Sequence, residues 1–201
     1  MCYPPDHKVA IHQKIVEDAS RRFRAEGPTG AAVAAVMRDE GLTHGGFYKH
    51  FASKDELLIE SLSQAFREIE ERLSHVALAE GSRPGTAWKA IVKTYLSPEH
   101  CAHPERGCPL AAVAPELARI MARTTARSDT AMKARILAEL TKYQSRMLPF
   151  MPGRRAADKK RAFFAIFSTM MGAIAIARIL PTLALREQVL ASARDFLLRS
   201  F

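Results

Sequence analysis

The sequence predicts an all-α protein of about nine helices: a three-helix, helix-turn-helix head over residues 1–53 and a helical body over 54–201. Three observations predict it. Apolar residues recur at three- and four-residue spacing through most of the chain, and no run alternates as a strand would. The breaks fall at Gly and Pro, as in Gly27-Pro28, Gly41, the GSRPG run at 81–85, Pro152-Gly153 and Pro181. With 201 residues, 48% of them apolar, the chain is long enough for one compact domain or two small ones sharing a core.

The first helix is expected from about Asp6 to Glu26, with Val9, Ile15, Ala19 and Phe23 near one face. Lys14, Arg21, Arg22 and Arg24 fall around the remainder, where they could screen or touch phosphate. Arg22 stands near the apolar face and could snorkel. Val33, Val36 and Met37 make Val33 to about Glu40 a short second helix. Gly41 follows as its left-handed end and Leu42 as an apolar plug. Thr43 can cap a third short helix with Phe47 and Phe51 turned inward. Ser53 and Glu56 form a capping box at the start of a long helix, Lys54 to about Glu80. Its apolar side carries Leu57, Leu58, Leu62, Phe66, Ile69 and Leu73.

Beyond the GSRPG break, Thr86 to about Leu96 reads as a helix and Ser97 to Gly107 as a polar loop. Pro109 opens the next helix, with Cys108 at or near its N-cap and Pro115 limiting or kinking it. Thr130 to about Phe150, Asp158 to Leu180 and Leu183 to Leu198 complete the body. Ala162 to Ala177 is uncharged, yet short of the ~20 residues of a membrane span. Its small residues suit close packing of helices, and burial between subunits is the expectation.

Two short helices joined by a Gly turn can place the second in the DNA major groove. The outward face here carries Thr43, His44, Gly45, Gly46, Tyr48, Lys49 and His50. The glycines allow backbone to approach, and the hydroxyls, imidazoles and Lys49 can donate to phosphates or base edges. Lys54, in the first turn of the long helix, adds a phosphate contact where backbone N–H groups already attract anions. The formal charge of +9 and pI of about 9.8 fit a polyanionic partner.

The string GLTHGGFYKHFASKDELL (41–58) closely resembles the DNA-binding segment of the TetR family of bacterial transcriptional repressors. Gly41, Thr43, Gly45, Phe47, Tyr48, His50, Phe51, Ser53, Lys54 and Leu57 stand in register with that family's pattern. Gly107-Cys108-Pro109-Leu110, followed by Pro115-Glu116-Leu117-Ala118, resembles one branch of it. Three positions depart. Arg22 stands where an apolar residue is commoner. Ala32 stands where relatives place a capping Ser or Thr, with Thr29 a substitute from farther back. Glu40 replaces a small residue before the turn, and must point away from DNA or pair with Arg38. The resemblance implies that the first helix braces the reader and that the body encloses a small-molecule pocket. Trp88, Tyr95, Met121, Met132, Tyr143, Met147 and Phe167 are expected to be mostly core. Of these Trp88, Tyr95, Tyr143 and Met147, with Cys108, are the ligand or sensing candidates. A Met-rich, aromatic lining would suit a hydrophobic effector.

Cys108 has a physical rationale of its own. A thiol at a helix N-terminus feels the positive end of the dipole, which would lower its pKa, and Arg106 would add to that. The resemblance implies a possible response to electrophiles or oxidants there. The spacing of His100, Cys101, His103 and Cys108 fits no zinc pattern, and with Pro104 and Gly107 it reads as a mobile loop. No metal, cofactor or catalytic constellation is expected, so the chain is not read as an enzyme. Three cysteines, Cys2, Cys101 and Cys108, are too few for a disulfide framework, and a reducing cytoplasm is expected. The expectation is a cytoplasmic homodimeric repressor, paired through about 158–180 and 183–198. It would bind a near-palindromic double-stranded DNA operator and be released by a small effector, with no membrane involved. The alternatives are an activator or effector-independent DNA-binding protein and, away from DNA, a small helical enzyme or membrane-surface protein.

Overall fold

The computed structural model describes residues 5–30, 33–79, 85–122 and 127–201. The Ala32 departure, Cys2 and most of the GSRPG break lie outside the described residues, as do the side chains of Thr29 and His44. The described residues form α-helices and 3-10 turns with no strand: α1 (Pro5–Gly30), α2 (Val33–Asp39), α3 (Lys54–Ala79), α4 (Ala87–Tyr95), α5 (Pro98–Ala102), α6 (Pro109–Ala122), α7 (Arg127–Met147), α8 (Ala156–Ile179) and α9 (Leu183–Ser200).

The local signals explain most boundaries. Gly27 takes φ 76°, ψ 161°, so regular helix ends there and only a further turn follows. Gly41, at φ 70°, ends α2. The Leu42 N–H donates to the Met37 carbonyl at 2.8 Å and the Gly41 N–H to the Arg38 carbonyl at 2.9 Å, which is the Schellman arrangement. Ser53 caps α3 by accepting from the Glu56 N–H at 3.1 Å, but Glu56 reaches back to the Ala52 N–H, one residue short of a true capping box. α6 runs through Pro115 to Ala122.

α3 is the spine. It packs against α1 on the head side and against α4 and α7 in the body. The apolar residues fall into two clusters. The body cluster surrounds Trp88, Tyr95, Tyr143, Met147 and Phe167. The head cluster joins Ile15, Ala19, Phe23, Val36, Met37, Phe47 and Phe51 to Val113 and Leu117 of α6 and Met132 and Ile136 of α7. Leu110 and Leu140 pack against both.

Several expectations are corrected by this packing. Val9 is 68% exposed and takes no part in the head core, while Val16 does. Met121 is largely exposed. The stretch Ser97–Gly107 is not a polar loop: Ser97 caps α5 by accepting from the His100 N–H, and a 3-10 turn, Pro104–Arg106, follows. Arg24 does not face phosphate. It is 3% exposed, with its guanidinium paired to Glu68 at 2.5 Å and donating to the Ser20 and Gly107 carbonyls.

Among the described residues one helix, α8, is long and apolar enough to cross a membrane, with a mean hydropathy of 1.8. It packs against α9, α6, α5 and α4, burying Phe163, Ile166, Phe167, Met170 and Ile174. Its other face, Phe164, Ala165, Ser168, Gly172, Ala175, Ile176 and Ile179, is exposed and uncharged.

Candidate nucleic-acid interface

The second reader helix is a 3-10 helix, His44–Lys49, too tight and short to stand without its two aromatic anchors. Phe47 and Phe51 are buried and stack with centroids 5.4 Å apart. Phe51 in turn stacks on His12 of α1 at 4.5 Å, and His12 contacts Glu60 of α3 at 2.7 Å. Thr43 does not cap with its side chain; its carbonyl accepts from the Gly46 N–H. The hydroxyl is thereby left free of that duty on an exposed residue.

These anchors fix what is presented. Thr43, Gly45, Lys49 and Lys54 are exposed, and Tyr48 is 69% exposed, its ring edge against Phe47. A phenol held out in this way, on a firmly packed neighbour, is a donor prepared for a phosphate or base edge. Two of the predicted contact residues, Gly46 and His50, are half-buried rather than exposed. At Gly46 an added Cβ would stand in ordinary contact with Met37 Cε and Thr43 Oγ1, both at 3.7 Å. His50 is half-buried with its Nδ1 enclosed and unpaired, beside His12. Burial, helped by the nearby charges of His12, Lys8 and Lys49, holds its pKa below the usual imidazole value. Lys8, exposed on α1, is thus near enough to His50 to act on its charge. Sequence reading missed Lys8 and His12 because their nearness to residue 50 depends on how α1 crosses the reader.

In the body the candidates separate. A cavity of about 300 Å³ opens between α6, α7 and α8, lined among others by Leu110, Leu140, Tyr143, Phe163, Phe167 and Met171. Of the predicted ligand contacts only Tyr143 lines it; Trp88, Tyr95 and Met147 are core. No charged residue is among its walls.

Cys108 is also corrected. Its thiol is fully enclosed, and burial pushes its pKa up despite opposing pulls from the Tyr95 hydroxyl and the backbone N–H groups of Ala111 and Leu110. The cation that acts on it is Arg178, whereas Arg106 is well exposed. Its N–H donates to His100 Nε2 at 3.1 Å, and His100 Nδ1 lies 2.6 Å from the Tyr95 carbonyl. Accepting at Nε2 requires the proton on Nδ1, so His100 is neutral; burial takes its pKa to about 4. Arg178 donates to the His100 and Cys101 carbonyls, completing a strap that is tied at both ends.

Residues 15–60 match the family described as bacterial regulatory proteins, tetR family. No curated protein matches the chain by sequence. Among solved structures, a TetR transcriptional regulator from Chloroflexus aurantiacus J-10-FL is 24% identical over 96% of this chain and 94% of that chain, with a TM-score of 0.67. A TetR-family transcriptional regulator from Cytophaga hutchinsonii is 17% identical over 98% of each chain, with a TM-score of 0.70. The reduced form of E. coli NemR is 15% identical over 94% of this chain and 95% of that chain, with a TM-score of 0.63. At these identities the likeness is one of fold.

Proposed function

We propose, from the tetR-family match of residues 15–60, that the chain is a transcriptional regulator of that family and acts as a homodimeric, effector-released repressor. The observation that carries the reading is the exposed row Thr43, Gly45, Tyr48 and Lys49, held out by the buried pair Phe47 and Phe51. Tyr48, Lys49, Thr43 and Lys54 position the backbone of a double-stranded operator. The Gly45 edge and His44 meet bases.

The pairing surface is the exposed face of α8 with α9. Phe164, Ile176 and Ile179 on α8, and Leu183 and Phe196 on α9, are each more than half exposed. A patch of this kind on a soluble chain needs a cover. At Gly172 an added Cβ would meet nothing, leaving room for a partner backbone. Two readers so joined suit half-sites one turn, roughly 34 Å, apart. We assign the effector to the uncharged cavity lined by Tyr143, with Leu110 and Leu140 carrying its occupancy to the head core. An effector preferring the released state by about 3 kcal/mol lowers operator affinity roughly a hundredfold.

The test is selection of genomic fragments followed by fluorescence anisotropy on the enriched duplex. Sequence-specific binding that falls steeply with salt is expected. Binding that ignores sequence, or that survives Tyr48→Ala and Lys49→Ala together, overturns the reading. Gly172→Arg is expected to convert a dimer to a monomer in sedimentation and to abolish tight operator binding.

A further inference from the structure

A second recess, of about 290 Å³, lies where α3 and α4 meet α5 and the 3-10 turn that follows it. Arg72 of α3, Thr94, Ser97, Glu99, His103 and Arg106 line it, with the His100 ring. Its chemistry is the inverse of the first cavity: two guanidinium groups and two hydroxyls face one space. The ion pairs around it leave one guanidinium, that of Arg72, without a direct partner among the described residues. Arg24 takes Glu68, His103 takes Glu99 at 3.5 Å and Glu105 at 3.1 Å, and Arg106 stands 3.8 Å from Glu105. Among the described residues no carboxylate comes within ion-pair distance of Arg72. Arg72 is nevertheless half-buried, and burial with the charges of Arg24 and Arg106 lowers its pKa against the opposing pull of Glu68 and Glu99. A half-buried guanidinium with no carboxylate in direct contact keeps its N–H donors open to an oxyanion that reaches them.

We propose that this recess binds a small oxyanion, a phosphate or carboxylate group. Arg72 and Arg106 would hold it as paired donors, with the Thr94 and Ser97 hydroxyls on its remaining oxygens. Glu99 is the one lining carboxylate. It is 79% exposed and already faces His103, so it stands at the rim. The site bears on the head because of what surrounds it. Arg72 belongs to the helix that carries the reader, whereas Arg106 precedes Gly107, whose carbonyl holds Arg24 of α1 at 3.2 Å. An anion shared by Arg72 and Arg106 ties α3 to the strap that already grips α1.

Calorimetry in a non-phosphate buffer, at ionic strength fixed with chloride, tests this on the full chain without DNA. Inorganic phosphate and citrate are the probes, and they separate a free anion from a carboxylate-bearing one. Saturable binding of at least one probe is expected, weakened at least tenfold by Arg72→Gln and by Arg106→Gln. Arg106 is two-thirds exposed, so its variant reports on binding without disturbing the fold. Arg72→Lys should recover part of the affinity lost in Arg72→Gln. Absence of saturable binding by either probe, or binding unchanged in Arg106→Gln, overturns the proposal. So does binding lost in Lys49→Gln/Lys54→Gln, which would assign the anion to the DNA face.

Discussion

Two short stretches of this chain look alike on paper and behave as opposites. The reader, Thr43–Phe51, and the strap, Ser97–Cys108, each mix His, Gly and small polar residues around a 3-10 turn. The reader buries its two phenylalanine rings and turns Thr43, Tyr48 and Lys49 to solvent. The strap buries His100, Cys101 and Cys108, and spends its polar groups on internal hydrogen bonds to Tyr95, Arg24 and Arg178. The difference comes from the anchors: Phe47 and Phe51 make one face of the reader apolar, whereas the strap is pinned by arginines from distant helices. Polar composition alone therefore does not mark a surface; the positions of the partners do.

The contrast can be broken from the strap side first. Replacing Arg24 with Met strands Glu68 and the Gly107 carbonyl, and is expected to cost about 3 kcal/mol or more in urea unfolding. A loss under 1 kcal/mol would mean that the strap is not anchored by α1. Acid should act on the same element. His100 is neutral when folded with a pKa of about 4, below its unfolded value near 6.5. The unfolded chain then binds more protons between these values, so this contribution is full above pH 6.5 and is lost as pH falls toward 4. Its ceiling is about 3 kcal/mol, and His100→Asn should flatten that slope.

Gly107→Ala comes next. Its Cβ would stand 2.9 Å from Arg178 Nη2 and 3.0 Å from His100 Nε2, so a loss of about 1–3 kcal/mol is expected. Gly45→Ala should leave stability nearly unchanged and act on operator affinity instead. Smallest in energy are the reader's own contacts. Tyr48→Ala should weaken operator binding roughly tenfold, about 1.5 kcal/mol, without moving the unfolding midpoint. Lys49→Ala should lower the slope of log affinity against log salt by about one. A stability loss in either would place the reader's outer face in the core.

Helix count and order, the Gly41 turn and the inward Phe47 and Phe51 were legible because each depends on neighbours in sequence. The cap at α5 was equally legible in Ser97-Pro98-Glu99, yet the surrounding polar residues outweighed it. Arg24 was not legible: Glu68 and Gly107 lie far along the chain, and an arginine on a basic helix gives no local sign of burial. For Cys108 the position at the helix start was readable, but the sign of its pKa shift was not, since enclosure outweighs the backbone donors. Its thiol is expected to resist alkylation in the native protein and to react on unfolding.

The shared hydrophobic cluster has a consequence for engineering. Val113, Leu117, Met132 and Ile136 sit among the head's own residues, so residues 1–53 alone would end in an open apolar wound. Grafting this reader onto a foreign regulator would require transplanting those four residues together with Leu57, Leu58, Ile59 and Leu62 of α3, and chimeras cut at residue 53 should precipitate where patched ones stay in solution.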